Sequence, residues 1–310
     1  MRRVGASGEA VAAIDATFSA RKSISPIWAL ANAHETAIDR ALLYSVERVA
    51  MIRHRVDQQT VIRTEATGLI ATSWRHTTGC AVNGRLPDPQ LHSHVLLHGV
   101  VRRDGRVVAI DSRSWLVHRR ELGAAYRTEP ARELTRLGFA IDRGAGRGGR
   151  YFEVSGVPTG LTDHWSSRRH QVQAAITSRL QQRHAELVKL VGRGGPERDD
   201  AAARLELLLT YGQLAPREER SIATLTRSAK TPATHRDLDA HWQQTGRERA
   251  SAATSSTNFA VRPRSSCPRR AGARLLNALT EFDATFPARD ARAVALEQAA
   301  GLPIKDALQH

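Results

Sequence analysis

The segment Leu91–Arg102, LHSHVLLHGVVR, constrains the chain more than any other. Successive side chains of a β-strand leave opposite faces, so residues two apart share one face. Read as a strand, the segment puts His92, His94 and His98 on a single side. Strands need partners. Gly68–Thr77 alternates in the same way, with Ile70, Thr72, Trp74 and His76 on one face. Arg106–Ile110 follows as a third strand, and the RRDGR turn before it reads as a hairpin. Residues 14–19, IDATFS, are rich in β-branched and aromatic types and form a short strand.

Between and after these strands the period changes. From about Ile27 to Arg55, apolar residues Ile38, Leu42, Val46 and Val49 recur at helical spacing. Helix is expected again over Leu116–Leu137, then a glycine-rich loop at 143–150, then a strand at Tyr151–Val154. Thr162–Val191 is helical, GRGGP breaks it, and shorter helices continue to about Gln244. Residues 246–272 mix Ser, Thr, Arg and Pro without periodicity and read as a disordered linker. A last helical stretch begins at Arg274, with Thr285 as a cap and Gly301 as a stop. Strands first and helices later give an α+β domain: an antiparallel sheet with flanking helices, followed by a mostly helical region.

Charge narrows the function classes. Lys plus Arg total 46 against 31 Asp plus Glu, a net charge of +15. Such an excess attracts polyanions, because neutralised phosphates release condensed counterions. An arginine-rich composition bias without function is the competing explanation. The two cysteines, Cys80 and Cys267, are too far apart in sequence for a disulfide framework or a zinc knuckle, and fit a reducing cytoplasm. No uncharged apolar run approaches the roughly 18 residues of a membrane span.

The histidines carry the chemistry. His92 and His94 can offer two nitrogens to one cation, and His76 on a neighbouring strand can supply a third. Three neutral imidazoles with an open position form a catalytic metal arrangement. With 13 histidines in the chain, a chance H-x-H is expected about half a time, so the bare spacing supports packing as well as it supports metal. His98 alone reads as a packing or surface residue.

The surrounding words decide more than the spacing. DATFSARKSIS (15–25), SWRHTT (73–78), PDPQLHSHVLLHGVVRRDGRVVAIDSRSWLVHRRELGAAYRTE (87–129) and RGGRYFEVSGVP (149–158) resemble TrwC-type (MobF) conjugative relaxases in order and spacing. Weaker likeness runs through WSSRRHQVQAAI and TRSAKTPATHRDLDAHW to Trp242. The resemblance implies a palm-like core of the HUH class that nicks one DNA strand at a plasmid transfer origin. A divalent metal held by three histidines (Mg, Mn and Zn are equally compatible) would polarise the scissile phosphate. A tyrosine would attack it and keep a 5′-phosphotyrosine bond.

Carried over by position, the ligands are His76, His92 and His94. Asp15 is a base or a residue that orients a histidine. Its competing reading is a strand-end carboxylate with structural hydrogen bonds. Single-stranded origin DNA and other relaxosome proteins are the implied partners. Arg147 and Arg150 in the glycine-rich loop are candidate phosphate contacts, a solvated hairpin tip being as good a reading. Trp28, Trp74, Trp115, Trp165 and Trp242 are candidate base-stacking residues, although core packing is the commoner fate of tryptophan.

Four departures accompany the resemblance. Only fourteen residues precede Asp15 and none is Tyr, so the nucleophile is expected to be missing. Tyr44, Tyr126, Tyr151 and Tyr211 match no catalytic position. The family's A-P-K reads Ala20-Arg21-Lys22. Pro130 falls within an expected helix, where an interior proline costs about 3 kcal/mol. GAGRGG lacks the lysine of a nucleotide-binding loop, which excludes ATP. The expected organisation is therefore a relaxase domain at 1–245 without its tyrosine segment, a linker at 246–272, and at 273–310 the truncated start of a helicase region. Beside a nickase inactive on its own stand a non-catalytic single-stranded-DNA-binding remnant and a decayed fragment.

Overall fold

The computed structural model describes residues 2–4, 13–25, 31–145, 150–254, 287–298, 304 and 308. The chain divides into two compact units, one of residues 1–77, 90–157 and 254–310, the other of residues 78–89 and 158–253. Both α and β elements are present and the paired strands run antiparallel, an α+β arrangement. Among the described residues no helix is long and apolar enough to cross a membrane.

The first unit is built on a five-stranded sheet of β1 (Arg2–Val4), β2 (Ala13–Ser19), β5 (Gly68–Thr78), β6 (Pro89–Val101) and β7 (Val107–Val108). The order is β1-β2-β6-β5, with β7 also on β6. β6 and β2 are antiparallel, with Asp15 opposite Leu96, Thr17 opposite His94 and Ser19 opposite His92. Alternation along β6 is strict: Leu91, Ser93, Val95 and Leu97 are buried, whereas His92, His94 and Leu96 are half-buried and His98 is exposed. The β6–β7 hairpin closes through Arg102 N–H to the Arg106 carbonyl at 2.9 Å, with Gly105 at φ +81°. Gly99 is required by close approach, because a Cβ there would lie 2.7 Å from Val107 Cγ1.

Against the buried face pack α1 (Ala31–Arg48), α2 (Ser112–Val117) and α3 (Arg119–Arg136). Ala37, Ile38, Ala41 and Tyr44 of α1 meet Ile14, Phe18, Val95 and Leu97 of the sheet, and Trp115 and Leu122 complete that cluster. Asp111 caps α2, its side chain accepting from the Arg113 N–H. Pro130 does lie inside α3, and the helix runs through it to Arg136. Its neighbours explain why: Tyr126, Thr128, Glu129, Ala131 and Leu134 are all buried, and burial of that extent exceeds the roughly 3 kcal/mol of an interior proline. A second hairpin, β8 (Ile141–Ala145) with β9 (Tyr151–Val154), closes a smaller cluster with Leu91 and Leu134.

Several expectations change. The helical pattern does not continue to Arg55: it stops at Arg48, and Met51–Arg55 is a strand, β3, paired antiparallel with β4 (Val61–Glu65). Apolar residues in the MIRHR stretch are too few to separate period 3.6 from period 2, and pairing decides. The loop placed at 143–150 starts later, since β8 reaches Ala145. The third strand shrinks to Val107–Val108.

The second unit is helical: α4 (Thr159–His164), α5 (Ser167–Arg193), α6 (Arg198–Tyr211), α7 (Pro216–Leu225) and α8 (His235–Thr254). Leu161, Trp165, Leu238 and Trp242 form its small core. Asp88 caps the start of α5, accepting the Ser167 N–H at 2.8 Å. α8 carries helix to Thr254, nine residues into the stretch read as a linker; residues 255–286, with Thr285 and Arg274, lie outside the described residues.

Beyond that stretch, α9 (Ala288–Gln298) packs as part of the first unit. Leu296 is fully buried in the main cluster, and Ala293 and Val294 are buried beside it. Glu297, its side chain 3% exposed, accepts from Arg120 at 2.8 Å and lies 3.5 Å from Arg127. Arg292 pairs at 2.6 Å with the buried Glu121, which also accepts the Tyr44 hydroxyl. Leu296→Ala is therefore expected to lower the unfolding free energy of the protein by about 2–5 kcal/mol in urea titrations. A change within error would show that α9 is dispensable.

Candidate metal centre

The register of β6 against β2, and the position of β5 on the other side of β6, bring three imidazoles together. Ring centroids of His76 and His92 lie 5.2 Å apart, those of His76 and His94 5.4 Å, and those of His92 and His94 5.4 Å. Three imidazoles bound through nitrogen at about 2.0–2.1 Å to one ion, at tetrahedral angles, would hold their centroids about 5.2 Å apart. The observed centroid distances match that value. The nitrogens have not closed: among the described residues, no three His, Cys, Asp or Glu side chains converge tightly enough to hold an ion as they stand.

Two of the rings have their tautomer set from behind. His92 Nδ1–H donates to the Gln90 carbonyl at 3.0 Å, which leaves Nε2 as the free lone pair. His94 Nδ1 lies 3.1 Å from Asp15 Oδ1 and 3.4 Å from Thr17 Oγ1, so the carboxylate draws the proton to that side and again frees Nε2. Oxygen partners of this kind orient a ligand ring and raise its basicity. Burial, then the neighbouring His76 and His94 rings and the Lys22 ammonium, hold His92 below the ordinary histidine range against the Gln90 carbonyl. The ring is thus neutral near pH 7, the form that binds cations.

Behind the strand lies a second histidine that the sequence reading passed over. His34 of α1 is buried, with Nδ1 2.7 Å from the Tyr126 hydroxyl and Nε2 2.9 Å from Ser93 Oγ. Ser93 sits between His92 and His94 in sequence and faces the opposite way. The α1 helix and α3 are thereby tied to the one residue of β6 that both half-buried histidines flank. Burial, then Arg75 and His92, push His34 down to about 4. No spacing rule finds it, because it is a lone histidine in a helix.

The other candidates separate. His98 is exposed and bonds Thr72 Oγ1 at 2.8 Å, outside the three-ring group. Arg150 is exposed at the start of the β8–β9 return, and Arg147 lies outside the described residues, as does Trp28. Trp115, Trp165 and Trp242 are core residues; Trp74, 49% exposed and two residues from His76 on the same strand, keeps its face open. The four tyrosines are placed elsewhere in the chain's packing: Tyr44 and Tyr126 are buried, Tyr151 lies between the Arg21 and Arg127 guanidiniums, each 4.8 Å from its ring centroid, and Tyr211 is exposed on α6. The sequence reading also missed the β3–β4 ribbon, whose Arg53 and Arg55 are exposed; a two-stranded ribbon of this kind is one of the shapes a DNA groove admits.

Known proteins resemble the chain over much of its length. A family model described as TrwC relaxase matches residues 1–249. The multifunctional conjugation protein TraI of Escherichia coli is 30% identical over 178 residues, covering 52% of this chain; the chain spans 9% of that protein's length. A metal-bound structure of the conjugative relaxase TrwC in complex with oriT DNA is 25% identical, with a TM-score of 0.58 over 81% of this chain and 78% of that one. A structure of TrwC with a 27-mer DNA comprising the recognition hairpin and the cleavage site is 24% identical, with a TM-score of 0.59 over 77% of this chain and 74% of that one.

The buried neutral His34 makes stability pH-dependent. Its folded value lies below that of the unfolded chain, so the unfolded state takes up the proton first and the contribution is lost as pH falls from about 6.5 towards 4. The loss amounts to at most about 3 kcal/mol. In urea titrations across that window, His34→Gln should flatten the slope relative to wild type. Equal slopes would show that His34 is not the titrating group.

Proposed function

The chain belongs to the TrwC relaxase family, and we propose on that footing that its first unit is a metal-dependent site for the phosphodiester of single-stranded DNA at a plasmid transfer origin. The observation that carries the proposal is the triangle of imidazole rings with 5.2–5.4 Å sides, two of them backed by oxygen acceptors. His76, His92 and His94 would hold a divalent cation through nitrogen, a donor set that suits several first-row metals. When bound, such an ion supplies positive charge to the phosphate oxygens.

The chain's own groups do the rest. Asp15 fixes the ring of His94 through Nδ1, and the Gln90 carbonyl fixes that of His92. Lys22, close enough to depress His92, adds positive charge near the ring. The sheet holds these groups on one face by register rather than by loops, which keeps their spacing tight. The basic balance of the whole chain, +15, draws a polyanion to it. The exposed face of Trp74 is available for a base to stack upon.

Strand cleavage needs an attacking hydroxyl as well. Of the four tyrosines in this sequence, Tyr44 bonds Glu121, Tyr126 bonds His34, Tyr151 is stacked by arginines and Tyr211 is exposed on α6 without a match to a catalytic position. We therefore assign the site residues binding and positioning of the phosphodiester, and assign none of the four tyrosines as nucleophile.

Titration with Mn²⁺ or Zn²⁺ followed by calorimetry tests the reading. Asp15→Asn is expected to weaken metal binding by about 10–100-fold. The double variant His92→Ala/His94→Ala should abolish it, while a labelled origin oligonucleotide gives no denaturation-resistant adduct with wild type. Unchanged metal affinity in the double variant would overturn the site. A tyrosine-linked adduct would overturn the division of labour.

A further inference from the structure

The second unit holds a cavity of about 660 Å³ within its own residues, and its lining is unusual in charge. Arg85, from the loop before β6, and Arg249, from the last turns of α8, both line it. Arg249 Nη2 lies 3.1 Å from His164 Nδ1, and a guanidinium can only donate, so the imidazole accepts there and carries its proton on Nε2. His164 is held below its ordinary value by burial first, then by Arg249 and Arg85, with Asp88 opposing and His241 adding to the fall. Both guanidiniums thus act on one imidazole, and neither is ion-paired with a carboxylate among the described residues.

The acids nearby are already engaged. Asp88 accepts from the Ser167 N–H and hydroxyl at the head of α5. Asp163, which also lines the cavity, is taken by Arg169 at 3.0 Å and His170 at 2.9 Å. The lining carries several N–H donors: two guanidiniums, the imidazole Nε2–H and the amide of Gln171, which also reaches Asn83 Oδ1 at 3.3 Å. Two like charges brought together from positions far apart in the chain are stabilised by an anion between them, and planar guanidinium forks match the oxygens of a phosphate. The volume is that of a small-ligand site and exceeds what a single ion needs.

We propose that this cavity is a phosphate-binding site distinct from the three-histidine group, taking the oxyanion of a nucleic-acid backbone or of a mononucleotide. It shares no residue with the group built on β6 and goes beyond the reading given to that group. Backbone phosphates and free nucleotides present the same chemistry, and experiment separates them.

The test compares the full chain with Arg85→Ala/Arg249→Ala, both exposed positions whose removal leaves the core intact. Anisotropy of a labelled single-stranded oligonucleotide would be followed from about 50 to 200 mM salt. Loss of two phosphate contacts reduces the slope of log affinity against log salt by about 1.4, because each contact on a single strand contributes about 0.7. That change, with several-fold weaker binding at low salt, identifies a strand backbone as the ligand. Calorimetry with inorganic phosphate and with adenosine monophosphate forms the other arm. Binding to wild type that the double variant loses, without a change of slope, identifies a free phosphate compound. Equal behaviour of the two proteins in both arms overturns the proposal. Metal titration of the double variant, expected to match wild type, keeps this result separate from the three-histidine site, which fails or stands on His92→Ala/His94→Ala alone.

Discussion

Everything chemical in the first unit depends on the two-faced character of β6. Leu91, Val95 and Leu97 anchor one side of that strand in the core, and the period of two then fixes His92 and His94 on the other side. A slip of one residue in its register against β2 would exchange the faces and put imidazoles into an apolar interior. Burial of the apolar set therefore enforces the position of the polar set. Ser93, which shares the buried face, is the one polar interruption, and the His34–Tyr126 pair supplies the hydrogen bonds that such a residue requires.

How much of this was legible in the sequence depends on the range over which each feature is decided. The strands β2, β5 and β6 were readable because alternation is local, and the β6–β7 turn because Asp-Gly chemistry is local. The convergence of His76 on the H-x-H pair followed from family-like strings; spacing alone left packing open. What escaped is decided by pairing across distance. Met51–Arg55 is a strand because Val61–Glu65 lies beside it, and three residues at Arg2–Val4 are a strand because β2 offers an edge. His34 gains its place only when α1 is laid on the sheet.

α9 shows the same limit at the scale of a domain. Its sequence, ARDARAVALEQ, is a modest amphipathic helix whose apolar face is short, and nothing in it names the surface it covers. The surface is named by charge: the carboxylate side chains of Glu121 and Glu297 are both buried, and a buried carboxylate must be matched by hydrogen-bonding cations. Arg292 answers the first from α9, and Arg120 with Arg127 answers the second from α3, so each helix carries the partner of a charge on the other. Reciprocity of that sort makes the contact specific as well as apolar. The family match ends at residue 249, yet the folded unit recruits chain well beyond it.

The two units divide a polyanion's chemistry in different ways. In the site proposed for the first, neutral imidazoles on a rigid sheet would need an added cation before they could attract phosphate, so affinity and chemistry would arrive together with the metal. In the second, guanidiniums that never lose their charge present it permanently, at a place where the local acids are already occupied. A site of the first kind would be gated by metal supply and by the protonation of histidine; a site of the second kind, dominated by guanidiniums, would be gated chiefly by ionic strength. Were both proposed sites present, the chain would hold a strand under conditions in which its metal-dependent face is silent, because the two attractions respond to different variables.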